Sequence, residues 1–242
     1  MAGTSDRNNE LTLACRHFPG ILSDVQSQIM SLRSVVLGSR SPRRRELLGS
    51  ITGIECLYVL PPTSPLEPGF ESMTFDSQIR QRLVEIAALK HADVQNQLPH
   101  QPWFSPDNPP VIVVADTTVV TGESDGTREV LGQPEPEHWR QQVREWFALR
   151  LSGRTHEVWT AVIVSRGNTV RSVVVRSRVT FSAISDTTMD WYLSTNESPG
   201  KAGGYAIQGF AASFVTHMEG SLTNVIGLPL LETMELIRSL PD

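Results

Sequence analysis

The segment Ser39-Arg40-Ser41-Pro42-Arg43-Arg44-Arg45 follows the apolar triplet Val35-Val36-Leu37 and precedes the pair Leu47-Leu48. It reads as a buried strand that turns into a helix, with Ser41 a good N-cap and Pro42 at the first helical position. The first N–H groups of a helix have no intrahelical partners and face whatever lies beyond the N-terminus. Serine hydroxyls add donors there, and arginines add permanently charged, bidentate ones. Such a set suits a polyphosphate. Arginines crowded at a helix N-terminus also oppose its dipole, at about 0.3–1 kcal/mol per charge, and a bound anion offsets that cost. A solvated basic turn, or a phosphorylation or nuclear-targeting signal, is the competing reading.

Three further places have chemistry in reach. Ala115-Asp116-Thr117-Thr118 puts a carboxylate at the end of a continuous apolar strand. Open α/β sheets bind ligands at strand carboxyl ends, and a carboxylate there can hold Mg²⁺ or orient a water; the competing role is a turn or cap. Lys90 follows Ile86 by four residues, so its stem lies near the apolar face of a helix; a snorkelling surface lysine is the alternative. Gly203-Gly204-Tyr205-Ala206-Ile207-Gln208-Gly209 combines glycines that permit close backbone approach with a glutamine able to read a base edge; a flexible surface loop is the alternative. Glu67 lies in a proline-rich loop and is unremarkable by itself. There is no Walker A, no HExxH, no G-x-S-x-G, and no dinucleotide fingerprint after a strand.

The elements needed to position these residues follow from periodicity. Residues 35–37, 54–60 and 111–116 read as strands, the last apolar enough to be covered on both faces. Residues 75–93 read as a helix through Ile79, Leu83, Ile86 and Leu89, and 135–151 through Trp139, Val143, Phe147 and Leu151. Residues 119–121 and 130–131 flank a Gly/Asp-rich turn. Residues 156–165 and 169–181 form a hairpin around Gly167-Asn168. A short helix at 186–193, a strand at 214–217 and a helix at 228–240 complete the chain. Residues 95–110, with five prolines, read as a surface insertion. Mixed order of helices, single strands and a hairpin implies an α/β fold with a mixed sheet flanked by helices.

Composition narrows the function. With 39% hydrophobic and 19% charged residues among 242, the chain can build a core. A net charge of −5 argues against a nucleic-acid partner. The two cysteines, Cys15 and Cys56, form no metal-ligand cluster. No apolar run reaches membrane-spanning length, and the N-terminus lacks the apolar core of a secretory signal, so a cytoplasmic location with no membrane partner is expected. Residues 1–32 read as a flexible N-terminal extension and 33–242 as one folded domain.

Taken together, the segments resemble the Maf family of nucleoside triphosphate pyrophosphatases. The resemblance rests on Ser39 to Arg44 with Leu47-Leu48, Ile86 to Lys90, Ala115-Asp116-Thr117, the Leu151 to Val162 segment, Lys201 to Tyr205 with Ile207-Gln208-Gly209, Gly220-Ser221, Asn224-Val225 and Gly227 to Leu230. It implies a long, curved mixed β-sheet around a central cleft, like that of inosine-triphosphate pyrophosphatases. It implies hydrolysis of a nucleoside triphosphate to monophosphate and pyrophosphate, with divalent Mg²⁺ or Mn²⁺, by a homodimer. In that scheme Ser39, Ser41, Arg43 and Arg44 hold phosphates and Thr117 and Gln133 line the substrate site. Lys90 neutralises charge, Asp116 and Glu67 serve catalysis and the metal, and Gly203, Gly204 and Gln208 face the base or sugar. The Ile-Gln-Gly segment is similar to the branch acting on dTTP and UTP; the branch acting on 7-methyl-GTP carries Glu-Gly there. One departure stands out: where the family often has Gly-Lys-Pro, this chain has Gly132-Gln133-Pro134. The missing positive charge leaves open a catalytically weakened, nucleotide-sensing protein.

Overall fold

The computed structural model describes residues 32–51, 53–63, 68–122 and 126–241. Residues 1–31 of the expected 1–32 extension, and Glu67, lie outside the described residues.

Seven strands form one mixed sheet. β1 (Leu32–Gly38) pairs in parallel with β2 (Ile54–Val59) on one side and β3 (Val111–Gly122) on the other. β4 (Arg128–Leu131) returns antiparallel along the end of β3. β5 (Thr155–Arg166), β6 (Thr169–Phe181) and β7 (Val215–Glu219) continue the sheet antiparallel from the opposite edge of β3.

The arrangement around β3 creates the site. On one edge β3 pairs with β1 over Val111 to Val114, and with β4 over Val119 to Gly122. Between them, residues 115–118 have no strand partner on that edge: the sheet forks there. Strand β1 leaves the fork toward α1 (Pro42–Gly49), and β4 toward Gly132 and Gln133. The fork is the switch point at strand ends where α/β sheets bind ligands.

Strand alternation assigns the two faces. Ile112, Val114 and Val120 pack against α2 (Asp76–Gln97) with its buried Ile79, Leu83 and Ala87. On the other face Val113 and Ala115 meet Leu48 of α1 and Ile237 of α6 (Leu230–Arg238). Farther along that face, Val119 meets Val143 of α3 (Trp139–Trp146), Phe147 beyond it, and Tyr192 of α4 (Asp186–Ser194). Asp116 and Thr118 therefore face α2, and Thr117 faces the α1 side.

Several elements differ from the sequence expectation. Helix α2 continues past Asp93 to Gln97 because Val94 extends its buried stripe. The 95–110 stretch is docked: Trp103 stacks on Tyr58 of β2 with ring centroids 3.8 Å apart, and Phe104 joins the core under α2. Residues 111–122 are one strand where two were expected. Beyond α3, Phe147–Leu151 widens into a π-turn that still buries Phe147 and Leu151. The five-residue helix α5 (Leu222–Ile226) is too short to leave a periodic signal.

Candidate active site

A cleft of about 880 Å³ opens at the fork. Its lining contains Ser39, Ser41, Arg43, Arg44, Lys90, Asp116, Thr117 and Gln133 from among the residues singled out above, together with a rim at Pro199, Gly200 and Lys201.

The floor is a carboxylate–ammonium pair. Lys90, two turns after Leu83 on α2, reaches across the α2 face of the sheet, and its Nζ lies 2.5 Å from Asp116 Oδ1. Both side chains are about one-seventh exposed or less, so the contact forms in a partly desolvated place. A buried pair of this kind is held as much by mutual need as by net gain, and a polyanion or cation arriving beside it can re-divide the partners. Thr118, 2% exposed on the same face, lines the cleft, and its hydroxyl has no hydrogen-bond partner among the described residues.

The wall is the start of α1. Ser41 caps the helix, its Oγ accepting from the Arg44 N–H at 3.4 Å. Ser39 Oγ accepts from the Ser41 N–H (3.1 Å) and from Arg44 Nη1 (3.3 Å). Each serine oxygen accepts from the protein and keeps its own proton to donate.

The adjacent arginines differ. Arg44 donates from Nε to the Gly227 carbonyl (2.7 Å) and from Nη2 to Thr117 Oγ1 (2.8 Å), tying α1 to β3 and to the end of α5. Arg43 makes no hydrogen bond or ion pair among the described residues while lining the cleft. Burial lowers its pKa, with the Glu197 charge acting the other way. Lys201 on the opposite rim is held below the usual lysine range by burial and by the Arg43 charge, again with Glu197 opposing. Two cations facing each other across a half-buried space favour an anion between them.

Other expected residues fall elsewhere. Gly203 and Gly204 are buried in the core rather than along the cleft. Their φ values are +65° and +69°, and a Cβ would lie 2.8 Å from Val119 Cγ2 and 2.6 Å from Val143 Cγ2. Left-handed backbone and close packing explain these glycines. They shape the cleft indirectly, since the Gly203 N–H donates to the Gly132 carbonyl (3.0 Å) beside Gln133. Gln208 is exposed and outside the cleft lining. Conversely, Thr118, Glu197 and Lys201 were not singled out for roles. Lys201 has a sequence signal in its place before the glycine turn; Thr118 and Glu197 have none short of knowing the contacts.

Fold and cleft together define an α/β protein that can hold a compact polyanion beside a buried carboxylate. The chain belongs to the family of Maf-like proteins, whose profile matches residues 34–240. It is 39% identical over 204 residues to a dTTP/UTP pyrophosphatase of Cereibacter sphaeroides, covering 84% of this chain and 93% of that one. A dTTP/UTP pyrophosphatase of Acinetobacter baylyi is 35% identical over 202 residues, with 84% and 97% covered, and one of Brucella abortus 40% over 205 residues, with 84% and 89% covered. A solved dITP/XTP pyrophosphatase from Mycobacterium abscessus aligns with 62% of this chain and 75% of its own at 11% identity and a TM-score of 0.32, too slight a likeness to describe the fold by. Among the described residues, no helix is long and apolar enough to cross a membrane.

Proposed function

We propose that the chain hydrolyses dTTP and UTP to the monophosphate and pyrophosphate. The Lys90–Asp116 pair at the sheet fork carries this reading. Beside the cationic wall, Asp116 would serve as a general base and Lys90 as a cation for an incoming phosphate chain. Relatives named for this activity share most of the chain.

In this scheme the α1 N-terminus, Ser39, Ser41, Arg43 and Lys201 hold the terminal phosphates. Lys90 turns from Asp116 toward the α-phosphate and offsets its growing negative charge. Asp116, released from the ammonium, orients a water and accepts its proton as the water oxygen bonds to the α-phosphorus. The bond from that phosphorus to the bridging oxygen breaks, and pyrophosphate leaves against the arginine wall. Most of the acceleration is electrostatic positioning.

A divalent cation fits the donor set in one way. Among the described residues no three His, Cys, Asp or Glu side chains cluster, yet Mg²⁺ is held by one or two carboxylates plus substrate phosphates and water. Asp116, with Glu67 as a second carboxylate, would hold Mg²⁺ or Mn²⁺, which would supply charge neutralisation and a more acidic water. The family resemblance adds a cytoplasmic homodimer, checked by light scattering and fractionation. It also supports a domain division with 1–32 as an extension.

Pyrophosphate release from dTTP, UTP, CTP, 7-methyl-GTP and ITP with Mg²⁺ or Mn²⁺ tests the reading. Release led by dTTP and UTP is expected. Release led by 7-methyl-GTP or ITP would keep the chemistry and overturn the Gln208 assignment to base reading. Triphosphate binding with no release from any nucleotide would favour a sensing protein, a reading motivated by the uncharged, exposed Gln133 at the cleft.

A further inference from the structure

The cleft has two ends of different character, built from opposite faces of the sheet. The cationic end comes from elements packed on the α1 face: Leu48 of α1 meets Val113 and Ala115, and Gly203, two residues after Lys201, packs on Val119. The other end lies on the α2 face and is largely apolar, lined by Pro68, Phe70, Ile86 and Thr118.

Helix α2 and strand β3 set this layout. Val94 approaches Gly38 beside Val114, and Lys90 meets Asp116, so α2 runs antiparallel to β3. The preceding turn of α2, at Ile86, therefore falls level with Thr118, two residues after Asp116 on the same strand face. One step from the Lys90–Asp116 floor along either element, about 5–7 Å, reaches this corner. A turn further back, Arg82 Nη1 donates to the Gly69 carbonyl (3.0 Å) and holds the segment that carries Phe70.

Two side chains in the corner have capacity that the protein does not use. Phe70 is half-buried: it packs on the core under α2 and still lines the cleft, the one aromatic residue among the described residues that does so. Thr118 is 2% exposed, and its Oγ1 is buried without a hydrogen-bond partner. An unmade hydrogen bond in such a place is costly, and one rotation about χ1 exchanges a threonine's Oγ1 with its methyl group. Gln208, in contrast, is outside the cleft lining.

We propose that this corner seats the substrate's base: Phe70 stacks on the ring, and the Thr118 hydroxyl, turned into the cleft about χ1, donates to a carbonyl on its edge. The inference deepens the pyrophosphatase reading and rests on its placing of a nucleotide in the cleft. A sugar bridges the step from floor to corner. The α-phosphate then lies at Lys90 and Asp116, and the terminal phosphates reach Arg43 and Lys201 through the fork. One aromatic plane and one hydrogen bond suit a single-ring base that carries a carbonyl, as in dTTP and UTP.

Two ligands separate the ends of the cleft. α,β-Methylene dTTP carries the base and resists cleavage, whereas inorganic tripolyphosphate carries only the phosphates. Both are titrated calorimetrically with Mg²⁺ into full-length protein, alongside thermal melts. Phe70→Leu keeps apolar bulk and removes the ring face. It should weaken the dTTP analogue about tenfold and leave tripolyphosphate within about twofold of wild type. Phe70→Tyr should restore analogue binding. Thr118→Val should weaken the analogue about three- to fivefold and leave the melting temperature unchanged or higher, since the free protein loses no hydrogen bond. Equal weakening of both ligands by Phe70→Leu, or no weakening of the analogue, would overturn the proposal. A lower melting temperature for Thr118→Val with analogue binding intact would overturn it too, returning that hydroxyl to the core. A wild-type protein that releases no pyrophosphate from any nucleotide, while its variants show the expected affinities, would end the pyrophosphatase reading and leave the base seat standing.

Discussion

Asp116 and Thr117 are neighbours in sequence, yet β3 turns them to opposite faces of the sheet and into different kinds of surroundings. Asp116 meets a single long lysine from α2, a contact that a change of lysine rotamer can remake. Thr117 sits in a closed network. Arg44 and Thr160 share its hydroxyl at 2.8 and 2.9 Å, and Thr160 continues to the Asn224 carbonyl at 3.2 Å. Asn224 Nδ2 then donates to the Val158 carbonyl and to Ser177 Oγ, both at 3.0 Å. One face of the fork can exchange partners during a reaction; the other keeps the fork open at a fixed width. The comparison also divides the paired arginines, with Arg44 committed to the frame and Arg43 turned to the cleft.

Four substitutions sharpen this division. The largest effect is expected for Asp116→Asn: kcat for dTTP should fall by roughly 10³-fold or more, with the melting temperature nearly unchanged, since the proposed base is lost and the shape is kept. Steady-state pyrophosphate release and a thermal melt decide it; near-normal turnover would end the role of Asp116. Arg44→Ala should act mainly on folding, costing about 2–3 kcal/mol in a urea titration, because it leaves the Gly227 carbonyl and Thr117 without a charged donor. Unchanged stability with weakened substrate binding would move Arg44 from the frame to the phosphate site.

Arg43→Ala should do the reverse. It should raise KM for triphosphates by about 10–50-fold with stability held, the loss of one charge-assisted contact. Monophosphate binding should weaken less, and equal weakening of both would argue against a polyphosphate contact. The smallest change is expected for Gln133→Lys, a gain in triphosphate affinity of about two- to fivefold from one exposed charge at the cleft. No change on any nucleotide would make the departure at this position irrelevant.

Much of the frame is legible in the chain itself. The apolar run at 111–115 reads as a strand covered on both faces, and the 169–181 run matches β6 from end to end. Ser41-Pro42 marks the start of α1 because capping chemistry is local. The fork is not local. It depends on β1 and β4 leaving the same edge of β3 in different directions, and no window of sequence contains both partners. The same limit hides the arginine division, since Arg43 and Arg44 differ only in what Gly227 and Thr117 bring to them. Gly203 and Gly204 show the converse: a glycine pair signals close approach, but the approaching surface is Val119 and Val143.

The Arg44 tie also bears on how the chain assembles. It reaches Thr117, 73 residues along, and Gly227, 183 residues along. The β5–β6 hairpin closes over the short turn between Arg166 and Thr169, whereas β1 finds β3 only after a long excursion through α1, β2 and α2. Loop closure over such spans delays pairing. The antiparallel strands from β3 to β6 should therefore acquire amide protection first in pulse-labelled refolding, with β1 and α1 joining late. The cleft, which needs both, is then among the last features of the molecule to exist, and a chain caught half-folded would carry its longest hairpin without a place to bind a nucleotide.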